Sequence, residues 1–163
     1  MNQPIEIATE SFLELRSLTR TLILATADET GLPEASTTPY IQEESGDYFI
    51  LVSQLARHTG NLQVRPQASV MLVEDEAVSS QLFARRRIQL QCEVTLVSTE
   101  KTPAIIDQFR KEHGKIIELL SSLPDFVLFR LHPTGGQFVM GFGQAYTLEG
   151  PDLGTLSPIR PGT

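Results

Sequence analysis

The sequence predicts a mainly β protein with helical insertions, its strands antiparallel and arranged as a barrel. Three observations lead there. Short apolar and β-branched runs recur along the chain and are separated by tight turns. One of them, "RIQLQCEVTL", alternates strictly: Ile88, Leu90, Cys92, Val94 and Leu96 against Gln89, Gln91, Glu93 and Thr95. One face of that strand enters a core and the other meets water or a partner. Regular repeats and long helical crossovers are absent, which disfavours a parallel α/β sheet.

The elements follow in order. In "TESFLELRSLTRT", Phe12, Leu13, Leu15 and Leu18 make a helical stripe, with Thr9 or Ser11 available as N-cap. "LILATAD" reads as a buried strand and "ETG" as a tight turn. "LPEASTTPYIQE" is extended, but Pro33 and Pro39 keep it from being a fully paired central strand. "YFILVS" is a third strand. Ser53 to Pro66, "SQLARHTGNLQVRP", reads as a helix or helical turn stopped by Pro66, with Leu55, His58 and Leu62 on related faces. "SVMLVED" and "FARRRIQLQCEVTLVS" are strands. Thr102 can cap a helix whose first turn Pro103 suits and which Gly114 ends, and "KIIELLSSL" is a second, shorter helix. The chain returns to strands with "FVLFRLHP", a "TGG" turn, "QFVMGFGQA" and "YTLE". Residues 1–150 read as a single domain and residues 151–163, rich in Gly and Pro, as a poorly ordered C-terminal tail.

Composition narrows the function. The 163 residues carry a net charge of -7, which argues against non-specific nucleic-acid binding. Any anionic ligand must therefore meet a local cluster of positive groups. The single cysteine, Cys92, excludes an internal disulfide or a CxxC centre. With no signal segment and no membrane-length apolar run, the expected location is the cytoplasm.

Two basic groups stand out. Arg57 can offer a two-pronged donor to a phosphate or carboxylate, and His58 can donate or coordinate. Adjacent positions on a helix point about 100° apart, so the alternative is that one faces solvent and the other packs against a strand. Arg85, Arg86 and Arg87 precede a strand and would serve an anionic ligand, or neutralise the acidic run from Glu74 to Glu76. His113 sits at a helix end, where a cation meets the favourable end of the dipole. His132 closes a strand before Pro133. Zinc-type His/Cys spacing, phosphate-cradling glycine loops and nucleophile elbows are all missing.

Four pieces taken together carry a resemblance: "SQLARHTGNLQVRP", "VMLVEDE" with "QLFARRRIQL", "LPDFVLFRL" and "FVMGFGQAY". Over nearly its whole length the chain resembles the pyridoxamine 5'-phosphate oxidase-like FMN-binding split-barrel superfamily. Within it, the chain is similar to the bacterial haem-utilisation (HutZ/HugZ) branch. The resemblance implies a six-stranded split β-barrel and a homodimer with two pockets in clefts between subunits. It implies haem or FMN as cofactor, leaving open a haem-degrading oxygenase, an FMN-dependent oxidoreductase or a non-catalytic carrier. A reductase or other electron donor would be the further partner. Ser53, Arg57, His58, Asn61 and Arg85 to Arg87 would be cofactor-binding, and Asp125 would be catalytic. His58 stands where the oxidases usually have lysine. The branch's axial histidine at the extreme C-terminus has no counterpart in "SPIRPGT", so no metal ligand is assigned. Another histidine ligates the iron, haem binds through its propionates alone, or the haem role is absent.

Overall fold

The computed structural model describes residues 3–160. It contains helix α1 (Gln3–Leu18), strands β1 (Thr21–Ala27), β2 (Pro33–Pro39), β3 (Ile41–Gln42) and β4 (Tyr48–Ser53), helix α2 (Arg57–Val64) and strand β5 (Gln67–Val73). A 3-10 turn (Leu82–Ala84) leads into β6 (Arg87–Leu96). Helices α3 (Thr102–His113) and α4 (Ile116–Ser122) precede β7 (Phe126–Gly141), β8 (Gln144–Glu149) and β9 (Thr155–Pro158). Every strand pairing is antiparallel.

The mainly β, antiparallel reading with helical insertions matches the structure, but the six-stranded split barrel is corrected. The sheet follows the open order β2-β1-β5-β6-β7-β4-β3, with β8 and β9 attached beyond β7, so it is an open half-barrel. The long strand β7 explains the extra members. Its residues 126–131 pair with β4 and its residues 136–141 with β8, so its length serves two neighbours in succession. At the far end, β2 is bounded by Pro33 and Pro39, which have no N–H to offer a closing strand.

The predicted "TGG" turn is also corrected. β7 runs straight through it, because the register against β6 shifts: Cys92 faces Pro133, Gln91 faces Gly135, and Thr134 is the extra residue of a bulge. A bulge tolerates the missing Pro133 donor. Gly136 is required two residues on, since a Cβ there would lie 2.6 Å from the Gln89 carbonyl oxygen. Elsewhere, Thr9 lies inside α1, its hydroxyl donating to the Ile5 carbonyl, and so does not cap it. Lys101, not Thr102, is the N-cap of α3. Within the described part of the segment after residue 150, Thr155–Pro158 form β9, whose Leu156 is buried in the main core.

The alternation in β6 holds, with Ile88, Leu90, Cys92 and Val94 buried. They join Leu22, Leu24, Val70, Leu72, Phe129, Leu131 and Phe138 in the main core, which α1 covers with Phe12 and Leu15. Phe12 meets Phe138 edge-on at 5.6 Å. A smaller cluster beneath α3 and α4 unites Phe49, Leu128, Ile105, Phe109 and Ile117 on the other side of β4 and β7. Each fully buried side chain of this size contributes about 1.5–3 kcal/mol.

Replacing Gly136 by Ala should destabilise the fold by about 1–3 kcal/mol through overpacking, read as a lower urea midpoint. An unchanged midpoint would show that β6 and β7 do not approach as closely as described.

Candidate functional site

Helix α2 begins without a side-chain cap, and its entry is fixed from outside instead. Ser53, the last residue of β4, accepts a hydrogen bond from the Leu55 N–H (3.1 Å) and donates to Asp125 Oδ2 (2.8 Å). Thr59 donates to the Ser53 carbonyl at 2.6 Å. Ser53 and Asp125, distant in sequence, therefore form one polar group at the start of α2.

Arg57 and His58 diverge, as their spacing on a helix requires. Arg57 is 85 % exposed, with Glu34 at 4.0 Å. His58 is only 9 % exposed and its Nδ1 shares a 2.9 Å hydrogen bond with the Ser36 hydroxyl on β2. Its Nε2 is buried with no hydrogen-bond partner among the described residues. Burial lowers the His58 pKa from its ordinary 6.5, and Glu34 offsets this only in part. The ring is neutral at pH 7 and pins α2 against β2. Asn61 donates to the Thr26 hydroxyl at 3.0 Å, and Arg65 clamps the Asp28 and Glu29 carbonyls.

The arginine group lies elsewhere. Arg87 pairs with Val73 at the far end of β5, whereas α2 leads into Gln67 at its near end. Six residue steps along β5, about 20 Å, separate the two ends. Arg85 bonds the Glu74 carbonyl and Glu76, and Arg86 bridges Glu74 (2.7 Å) and Glu14 (2.5 Å). Arg87 donates to the Arg85 carbonyl, and among the described residues no carboxylate lies within 4.0 Å of it. The α2 residues and Arg85 to Arg87 therefore cannot meet on one small ligand within a protomer. For a flavin phosphate, which needs converging cations, one protomer offers at α2 only an exposed Arg57 and a neutral His58. A single protomer does not fit that group.

A third cluster was not read from the sequence. Asp47, just before β4, accepts from Arg130 Nε (2.7 Å) at Oδ2 and from His132 Nδ1 (2.7 Å) at Oδ1. Burial acts to raise the Asp47 pKa, but the Arg130 and His132 hydrogen bonds outweigh it and hold the carboxyl below its ordinary 3.8. The available signal was the i, i+2 spacing of Arg130 and His132, which puts both on one face of a strand. His113 Nε2 donates to the Tyr40 carbonyl oxygen at 2.8 Å, a structural contact. Among the described residues no group of three or more His, Cys, Asp or Glu side chains could hold a metal ion.

The outer face of β2, β1, β5 and β6 completes the picture. Ala35, Ala25, Ser69 and Gln91 form one cross-strand row, and Thr37, Ile23, Met71 and Gln89 the next. None of these side chains is charged, although the chain carries net charge -7. A hollow of about 440 Å³ opens on this face along Ala25–Ala27, Gln67–Ser69 and Gln91–Glu93.

The model of the pyridoxamine 5'-phosphate oxidase family matches residues 8–140. The chain belongs to that family. Among relatives of this oxidase-family chain, the heme oxygenase HutZ of Vibrio cholerae is 46 % identical over 151 residues, covering 91 % of this chain and 85 % of that protein. The crystal structure of HutZ, described as a heme storage protein of Vibrio cholerae, superimposes with a TM-score of 0.75 at 39 % identity, over 88 % of this chain and 96 % of that one. Campylobacter jejuni ChuZ gives 0.84 at 26 % identity, over 97 % of this chain and 66 % of that one. Among the described residues, no helix of this family member is long and apolar enough to cross a membrane.

The buried His58 makes a pH prediction. The unfolded chain takes up a proton near pH 6.5 while the folded protein resists it, so this stability is full above pH 6.5 and is lost as pH falls below it. Melting temperature should drop between pH 7 and 5, and His58→Asn should flatten that part of the profile. Parallel profiles for the two proteins would refute a neutral, buried His58.

Proposed function

We propose that this protein binds haem as a homodimer and serves haem utilisation. The observation that carries the reading is the 46 % identity to a heme oxygenase across 91 % of the chain. Its geometry supports a shared site. The two uncharged rows at the centre of the outer face, flanked on β6 by Arg87 and Glu93, are suited to cover by a second copy, since a charge-free row costs little desolvation. A two-fold axis lying in that face and crossing the strands would bring one end of each sheet against the opposite end of its partner. That arrangement sets α2 of one copy near the Arg85–Arg87 end of the other and removes the separation of about 20 Å seen within a protomer.

In this reading Arg57 and Asn61 line one wall of the cleft, with Ser53 and Asp125 at the start of α2. Arg87 of the second copy, free of a carboxylate partner among the described residues, offers the propionates a cation from the other wall. Arg85 and Arg86 are tied to carboxylates and hold the strand entrance in shape. His58 supports α2 from below. Bound haem would supply redox chemistry to the site, and the protein would position it and tune its surroundings.

Ala25→Glu places a charge at the centre of the uncharged face and should convert a dimer to monomer in sedimentation velocity. A wild-type protein that sediments as a monomer would refute the shared cleft. Hemin should bind the wild-type protein with a Soret band, and Arg57→Ala should weaken it about tenfold, or about 1.4 kcal/mol. Saturable FMN binding without hemin binding would favour the flavin alternative. Loss of the Soret band on adding ascorbate in air would extend the function to haem degradation, and a persisting band would limit it to binding.

A further inference from the structure

We infer that two copies of this chain stack outer face to outer face on a two-fold axis along the row Ser36–Leu24–Val70–Leu90, so that Glu93 of each copy pairs with Arg87 of the other. This rests on the homodimer proposed above and goes beyond it by fixing the register of the two copies.

Strand lengths single out that row. Leu24 pairs with Ser36 on one side and with Val70 on the other, and Val70 pairs with Leu90. β2 (Pro33–Pro39), β1 (Thr21–Ala27) and β5 (Gln67–Val73) each extend three residues to either side of it. A two-fold axis along the row reverses each strand onto its own copy, so all three overlap over their full length. An axis moved along the strands leaves an overhang on every one of them.

Charge selects the same row. On β6 the operation sets residues equidistant from Leu90 opposite each other. Arg87 and Glu93 lie three residues to either side, both on the outward set of the alternation. Glu93 is exposed, and among the described residues neither it nor Arg87 forms an ion pair within the protomer. Each copy thus brings one unpaired anion and one unpaired cation to opposite ends of a single face, and the axis joins both at once. Facing sheets stand about 10 Å apart, a gap that glutamate and arginine side chains approaching from opposite sides can bridge. Centring the axis on Gln91 instead would set Arg87 against Thr95, and centring it on Gln89 would set Arg87 against Gln91. Either choice covers the cation without giving it a carboxylate, which is costly.

Shape agrees with charge. Ala25 and Ser69 lie on one side of the row, Ile23 and Met71 on the other. The small side lines the hollow of about 440 Å³, while Ile23 on the large side is 39 % exposed. Reversal across the axis sets Ile23 and Met71 of the second copy over Ala25 and Ser69, so each copy fills the hollow of the other. Arg87 keeps donors for the haem as well. Its Nη1 donates to the Arg85 carbonyl, and the rest of the guanidinium fork can serve Glu93 of the second copy and a propionate together.

The test is sedimentation velocity of the full chain and its charge-reversal variants. Wild-type protein should sediment as a dimer. Glu93→Arg sets arginine against arginine at both ends of the interface and should raise the dimer dissociation constant about tenfold or more. Arg87→Glu should do the same with opposed carboxylates. Combining Glu93→Arg with Arg87→Glu exchanges the charges and should recover the wild-type dimer. If Arg87→Glu does not fold, Glu93→Arg at its exposed position and Ser69→Leu, which fills the hollow in advance, carry the test, and both should weaken the dimer. A dimer insensitive to Glu93→Arg or to Ser69→Leu, or a folded double variant that stays dissociated, would overturn this register while leaving the homodimer intact. A wild-type monomer would overturn the homodimer reading itself.

Discussion

Strand β7 has to satisfy hydrogen bonds to β6 along one edge while sharing its other edge between β4 and β8. Its continuity past Pro133 depends on the bulge at Thr134, which absorbs the proline's missing donor and resets the register with β6. Ahead of the bulge, Arg130 and His132 face Asp47. Beyond it, Gly136 allows β6 to approach and Phe138 enters the core under α1. The core, the arginine end of the sheet and the Asp47 cluster all take their spacing from this one strand.

Polar groups of the site are held by a second set of contacts that the backbone does not supply. Ser53 ties β4 to Asp125 and also seats the first turn of α2, so one hydroxyl couples the sheet to the helix. His58 does the same work on the opposite side, bonding Ser36 of β2 at the cost of an unpaired, buried Nε2. An orphaned ring nitrogen costs about 1–3 kcal/mol. The rest of the helix contact must exceed that cost, chiefly through Leu62 in the main core.

Much of the fold was legible because alternation reports burial directly. Ile88 to Val94 gave the inner face of β6, and Pro66 gave the end of α2. The "TGG" segment misled because Gly and Pro mark bulges as well as turns, and only the partner strand distinguishes them. Strand number and closure were not legible either, since they depend on which edge of β7 each later strand chooses. In the candidate site, the divergence of Arg57 and His58 followed from helical geometry. The distance between α2 and Arg87 needed the antiparallel pairing of β5 with β6. Asp47 and His132 lie 85 residues apart, and no local pattern links them.

An open half-barrel has edges, and these edges are poor templates. β2 lacks donors at Pro33 and Pro39, β3 is two residues long, and β9 ends at Pro158 after four. Such edges resist the addition of a strand from another molecule. Growth of the sheet into a fibre is thereby discouraged, and contact between molecules is diverted to sheet faces, where a two-fold pairing closes on itself and stops.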